Sequence, residues 1–135
     1  MAEYTRPLPR PTKFSQGFWE GAKRHELVVQ RCRDCGRYRH SPKLACPHCL
    51  STDTEWARVS GRGTVYTYTV HYRAPAPAFG SDLPLVTALI ELEEGPLMMS
   101  NIVGCPPEKV RIGLPVEVVF EDATEHITFP RFKPR

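Results

Sequence analysis

The clearest periodicity in the chain begins near residue 64. "GTVYTYTVHY" alternates, with Val65, Thr67, Thr69 and His71 on one face and Tyr66, Tyr68, Val70 and Tyr72 on the other. A period of two is the mark of a strand buried on one side. After a proline-rich loop, "APAPAFGSDLP", come two more β-prone runs, "LVTALIELEEG" and "PLMMSNIVG". Their spacing predicts a hairpin that turns at Glu94-Gly95. "CPPEKVRIGLP" reads as a connector with space for one helical turn at 107–110. "VEVVFEDAT" and "EHITFPRFK" close the series, joined by a short acidic turn. Five strands with a connector between the third and fourth fit the partly open OB barrel; an SH3-like barrel or small sandwich is the alternative.

The N-terminal third has a different pattern. "RPLPRPT" has three prolines in five residues, which exclude helix and favour an extended arm. "FSQGFWEGAKRH" then places Phe18, Trp19, Ala22 and Phe14 toward one face of a short helix, with Ser15 as its N-cap. Gly17 and Gly21 weaken that helix, so it needs a surface to lie on. "ELVVQRC" reads as a strand leading into a cysteine pair, whereas "LSTDTEW" and "VSGRG" read as turns.

Charge sharpens this division. Residues 1–50 hold ten Lys/Arg and four Asp/Glu; residues 51–135 hold eight and eleven. Basic surface at one end suits phosphate-bearing ligands or an acidic partner, or is a solvated face. No apolar run reaches the ~20 residues of a membrane span. The N-terminus lacks the apolar core of a signal peptide, so a cytoplasmic location is expected.

Cys32-x-x-Cys35, ten residues, then Cys46-x-x-Cys49 is the strongest motif. Each Cys-x-x-Cys knuckle turns the backbone so that two thiolates converge, and two knuckles supply four sulfurs for a tetrahedral ion. Gly36 suits the positive φ such a knuckle requires. Zinc is the expected metal, with iron in a rubredoxin-like site as the alternative. His40 and His48 are read as ordinary surface or loop residues. A closed four-thiolate shell has no open position for substrate, so it is a structural staple for a segment too small to fold unaided. Removing the metal is therefore expected to unfold the N-terminal third and leave the barrel.

Catalytic signatures are sparse. Cys105 in "VGCPPE" reads as a small buried hydrophobe before a reactive thiol. Glu93-Glu94 and Glu121-Asp122 fall at expected turns, where solvated charge is ordinary. No phosphate loop, nucleophile elbow or His-Glu-x-x-His motif occurs. No catalytic residue is assigned. A single-stranded nucleic-acid-binding OB module is the alternative function, but "LVTALIELEEGPLMMSNIV" contains no aromatic, Lys or Arg and carries three glutamates, the wrong surface for a polyanion.

Together, "FWEGAKRHELVVQRCRDCG", "CPHC", "SGRGTVYTYTVHY", "LPLVTALIELEEGPLMMSNIVG", "RIGLPVEVVFED" and "FPRFKP" resemble the OB-fold family with a rubredoxin-like zinc ribbon, number thirty-five among the domains of unknown function. The resemblance runs from about Phe14 to Pro134. It implies a mainly β chain: residues 1–13 an extended arm, 14–55 a helix plus zinc ribbon, and 56–135 an OB-fold barrel. It further implies a non-catalytic accessory subunit of a thiolase, acyltransferase or aldolase complex acting on acyl-CoA esters, as in aromatic or steroid degradation. The thiolase-like partner would hold the reactive groups, and two of each chain would form a heterotetramer. The small subunit would stabilise that partner and help form the CoA and acyl channel. Arg37, Arg39 and Lys43 are the candidate phosphate contacts. Phe18, Trp19 and Phe79 are candidate apolar anchors, and His71 is either a ligand-facing residue or, as the more common case, a satisfied histidine on a strand face. Packing of Trp19 on its own barrel is an equal alternative.

Overall fold

The computed structural model describes residues 8–73 and 84–135. Phe79 and most of the expected proline-rich loop lie outside the described residues. One helix, α1 (Gln16–Lys23), precedes strands β1 (Val28–Cys32), β2 (Tyr38–Arg39) and β3 (Thr54–Arg58). These three form a sheet in the order β2-β1-β3, both pairs antiparallel. β3 occupies part of the stretch expected to be turns. It pairs along all of β1, from Val28 opposite Arg58 to Cys32 opposite Thr54. That long-range pairing prevails over a local composition rich in turn formers.

The helix glycines have a packing reason. A Cβ on Gly17 would stand 2.6 Å from Trp56 Nε1, and one on Gly21 would stand 2.6 Å from Val28 Cγ2. Both glycines are therefore places where the helix backbone presses on β1 and β3. Phe18 and Ala22 are buried on the same side, whereas Phe14 is exposed. Ser15 precedes the helix but its side chain makes no cap bond. Its Oγ instead accepts from the Thr12 amide at 2.9 Å. The helix ends with His25 at φ 60°, and the Glu26 amide donates back to Gly21 O at 2.9 Å.

Strands β4 (Arg62–His71), β5 (Leu85–Leu92), β6 (Leu97–Asn101), β7 (Pro115–Asp122) and β8 (Thr128–Pro134) form the second sheet, in the order β6-β5-β4-β7-β8. The ends approach closure. Ile102 bridges Phe132 in parallel, and Ser100 Oγ donates to Pro130 O at 2.8 Å. This is the topology of a five-stranded OB barrel. The hairpin between β5 and β6 turns at Gly95, φ 112°. Pro107–Lys109 forms a single 3-10 turn in the connector.

The expected faces of β4 are corrected by a bulge between Val65 and Thr67. The extra residue shifts the alternation by one. Val65 is buried, but beyond the bulge Tyr68 and Val70 pack against the core while Thr67 and Thr69 are exposed.

The interior is one contiguous cluster. Phe18, Leu27 and Val29 from the N-terminal part join Val65, Ile90, Leu92, Met98, Val116 and Phe132 from the barrel. Cys105 is half-buried against the same cluster. No helix among the described residues is long and apolar enough to cross a membrane.

Candidate metal centre and apolar cleft

The end of β1 and two loops bring the four knuckle cysteines together. The sulfurs of Cys32, Cys35, Cys46 and Cys49 all lie within 4.8 Å of one another. Cys32 Sγ is 3.5 Å from Cys49 Sγ, and Cys35 Sγ is 3.6 Å from Cys46 Sγ. A tetrahedral ion with metal–sulfur bonds of ~2.3 Å needs sulfurs about 3.8 Å apart, so this donor set fits a metal.

Each knuckle is built by backbone bonds. The Gly36 amide donates to Cys32 O at 2.9 Å, and the Leu50 amide to Cys46 O at 2.8 Å. Gly36 has φ 76°, as its position after Cys35 suggested. In the second knuckle Leu50 occupies the corresponding position, with φ 64°. Amides also point at sulfur: Cys35 N lies 3.5 Å from Cys32 Sγ, and His48 N lies 3.4 Å from Cys46 Sγ.

These contacts spread the thiol acidities. The Cys35 amide heads the causes that lower Cys32. The Cys49 and His48 amides bring Cys46 down to about 6 despite burial. The Ser51 amide also acts to lower Cys49, but the Cys32 sulfur, burial and the other two sulfurs push it up to about 12. Four thiolates this close repel one another, and a bound cation removes that repulsion.

The basic residues around the knuckles are mostly engaged. Arg31 pairs with Glu55 at 3.9 Å, and Arg33 with Asp53 at 3.7 Å and Glu55 at 3.6 Å. Arg37 is exposed, with Nη1 2.6 Å from His48 Nδ1. Lys43 is exposed. Arg39, expected at the surface, is buried within the three-stranded sheet. Its Nε donates to Gln30 Oε1 at 2.8 Å, and Nη2 to Thr54 Oγ1 at 2.6 Å and Lys43 O at 3.2 Å. A guanidinium used this way braces three segments and has no surface to offer a ligand. The proposed basic face thus contracts to Arg37 and Lys43.

A cleft of about 580 Å³ opens where α1, the loop after β2 and the barrel meet. Phe18, Trp19 and His71, three residues singled out from the sequence, line it together with Met98, Met99 and Phe129. Trp19 does pack on its own chain: its ring meets Phe18 at 5.0 Å and Phe129 at 5.8 Å, both edge to face. It remains half-exposed at the cleft, so the two readings of Trp19 hold together.

His40, expected to be a surface or loop residue, sits at the same cleft with its ring 5.0 Å from Phe18. Its Nδ1 is buried without a hydrogen-bond partner. Burial pushes the imidazole down to about 4. The acidic pairs are also engaged. Glu93 Oε2 accepts from Ser60 Oγ at 3.0 Å, and Glu94 Oε2 from the Ser60 amide at 2.9 Å. Asp122 accepts from His25 Nε2 at 2.9 Å and Thr128 Oγ1 at 2.7 Å, which together hold its carboxyl below the usual range.

Arg131 also lines the cleft, although the sequence pattern did not single it out. It is an alternating polar position on β8, and only the barrel topology carries it to the cleft.

Comparison with known proteins places both parts of the chain. Residues 19–55 match the family described as "ChsH2, rubredoxin-like zinc ribbon domain", and residues 56–121 match "ChsH2, C-terminal OB-fold domain". A Thermomonospora curvata protein called "Probable enoyl-CoA hydratase alpha subunit" is 41% identical over 96% of this chain, which spans 40% of that protein's length. A "DUF35 domain-containing scaffold protein" of Methanocaldococcus jannaschii is 41% identical, over 86% of this chain and 87% of its own. A chain of the solved "Ltp2-ChsH2(DUF35) aldolase" superposes with a TM-score of 0.85 at 40% identity, over 94% of this chain and 98% of that one.

Proposed function

The chain belongs to the DUF35 family in which a ChsH2-type rubredoxin-like zinc ribbon precedes an OB-fold, and on that premise we propose that it is a non-catalytic accessory subunit of a thiolase-like complex. In this reading it docks on a thiolase-fold partner, stabilises it and contributes one wall of the channel for an acyl-CoA ester. The observation that carries the reading is the cleft at the junction of helix, ribbon and barrel. It is open, and its exposed surface is mostly apolar, with Phe18, Trp19, Phe129 and the two methionines set among serine, threonine, asparagine and histidine side chains. Such a lining suits an apolar acyl or pantetheine arm. The name of the similar solved chain, which pairs Ltp2 with ChsH2(DUF35) in an aldolase, supports assembly with a partner. A heterotetramer of two chains each is the proposed stoichiometry, and Arg37 and Lys43 are the proposed phosphate contacts.

Zinc is the proposed metal, held by Cys32, Cys35, Cys46 and Cys49. Four protein sulfurs leave no coordination site for substrate, so the ion supplies folding energy to the ribbon. Elemental analysis of purified protein should find zinc in a colourless sample; a coloured, iron-containing protein would replace this assignment.

Co-expression with a thiolase-fold protein from the same genome tests the main reading. A stable complex whose activity needs the small chain is expected. The reading is wrong if the chain stays alone and changes neither the partner's stability nor its turnover.

A further inference from the structure

Among the described residues that line the cleft, Arg131 is the one Lys, Arg, Asp or Glu, beside uncharged polar groups and the two imidazoles of His40 and His71. Arg131 lies along its wall with a side chain 11% exposed. Three neighbours hold the guanidinium. Nη1 donates to Asn101 Oδ1 at 3.0 Å, Nε to Glu121 Oε2 at 3.4 Å, and the charge centre sits 4.5 Å over the Phe129 ring. Asn101 is itself locked, since its Nδ2 donates to Val86 O at 3.0 Å and Thr87 Oγ1 at 3.3 Å. Among the described residues nothing accepts from Nη2, and that nitrogen is not among the buried unpartnered atoms. A preorganised guanidinium that lines the cleft thus keeps N–H groups for which no described residue is an acceptor.

Glu121 decides what those groups prefer. Its carboxylate offsets the charge of Arg131, so a second full negative charge would meet a pair that is already balanced. A neutral carbonyl oxygen can accept from Nη2 at no such cost, while the aromatic and methionine walls take an apolar chain. Resting on the accessory-subunit reading above, we infer that Arg131 is the specificity-determining anchor of the cleft, and that it selects a thioester or amide carbonyl on an apolar chain over the matching free carboxylate. The residue acts in binding and takes no part in bond making.

The test uses the full metal-loaded chain and two probes, S-decanoyl-N-acetylcysteamine and decanoate, with calorimetry and the Trp19 indole NMR signal as readouts. The thioester should bind about tenfold more tightly than decanoate, the cost of bringing a second carboxylate to the balanced Arg131–Glu121 pair. Arg131→Met should abolish that preference by weakening thioester binding about tenfold. Glu121→Gln, at a position 44% exposed, should fold normally and move the preference toward decanoate, because the balancing charge is gone. A merely structural Arg131 would not produce that reversal. The inference is overturned if neither probe binds, if decanoate binds as well as the thioester, or if Glu121→Gln leaves the ratio unchanged. These outcomes are separable from the accessory reading. Complex formation with the thiolase-fold protein can succeed while Arg131→Met has no effect on the probes, and the reverse can also occur.

Discussion

Arg39 and Gln30 face each other across the β1–β2 pair, and the buried guanidinium donates to Gln30 Oε1 at 2.8 Å. The same oxygen accepts from the Lys43 amide at 2.7 Å, so one side-chain pair ties β1, β2 and the second knuckle's approach together. Replacing Arg39 with Met should destabilise the chain by roughly 2–3 kcal/mol, since bonds from a charged donor are lost and buried acceptors are left bare. Arg37→Ala, at an exposed site, should change stability by less than about 0.5 kcal/mol. Urea denaturation of both variants checks this. Equal effects would mean that Arg39 is not the brace described.

Metal removal should now act on more than the ribbon. Leu27 and Val29 lie in the same buried cluster as the barrel residues, and the Val59 amide donates to Leu27 O at 2.9 Å. Cys35→Ser, or a strong chelator, is therefore expected to lower the midpoint of one transition seen by both near- and far-ultraviolet circular dichroism. A barrel that melts later and separately would restore the simpler expectation from sequence, of a ribbon that unfolds alone.

His40 makes stability depend on pH with a definite sign. Its folded pKa, about 4, lies below the ordinary 6.5. The unfolded state then binds the proton first, so the contribution of neutral His40 is present above pH 6.5 and is lost as pH falls toward 4. The full span is worth up to about 3 kcal/mol. His40→Leu should flatten the stability profile between those values relative to the parent protein, with the metal ligands common to both. Denaturation at pH 7.5 and 4.5 measures the difference, and parallel profiles would contradict the burial of this ring.

The close approach of Gly17 to Trp56 should make Gly17→Ala destabilising, although alanine is the better helix former. The new methyl would overlap the indole and move the helix or the ring, at a cost of roughly 1–3 kcal/mol. A solvent-facing helix glycine would instead gain about 1 kcal/mol from the same change. The sign of the change in melting temperature distinguishes the two.

Much of this architecture is determined by local pattern alone. Cys-x-x-Cys spacing predicts two knuckles whose thiolates can converge on one ion. Period-two alternation predicts the strand that begins near residue 64, β-prone runs predict those after it, and Glu94-Gly95 marks a hairpin. What local pattern cannot carry is anything that depends on a partner distant in sequence. β3 is a strand because β1 lies beside it, and its own residues favour turns. The bulge after Val65 turns Tyr68 and Val70 inward, which no alternation counted from one end could foresee. Arg39 is sequestered by Gln30 and Thr54, so a residue typical of surfaces becomes part of the interior. Barrel closure brings β8 beside β6, and only that places Arg131 against Asn101 at the mouth of an apolar cleft. The sequence by itself determined the helix, the barrel strands and the four cysteines that could hold a metal. The tertiary structure decided which charges are paired internally and which residues come together at the cleft, because desolvation and pairing are properties of neighbours in space.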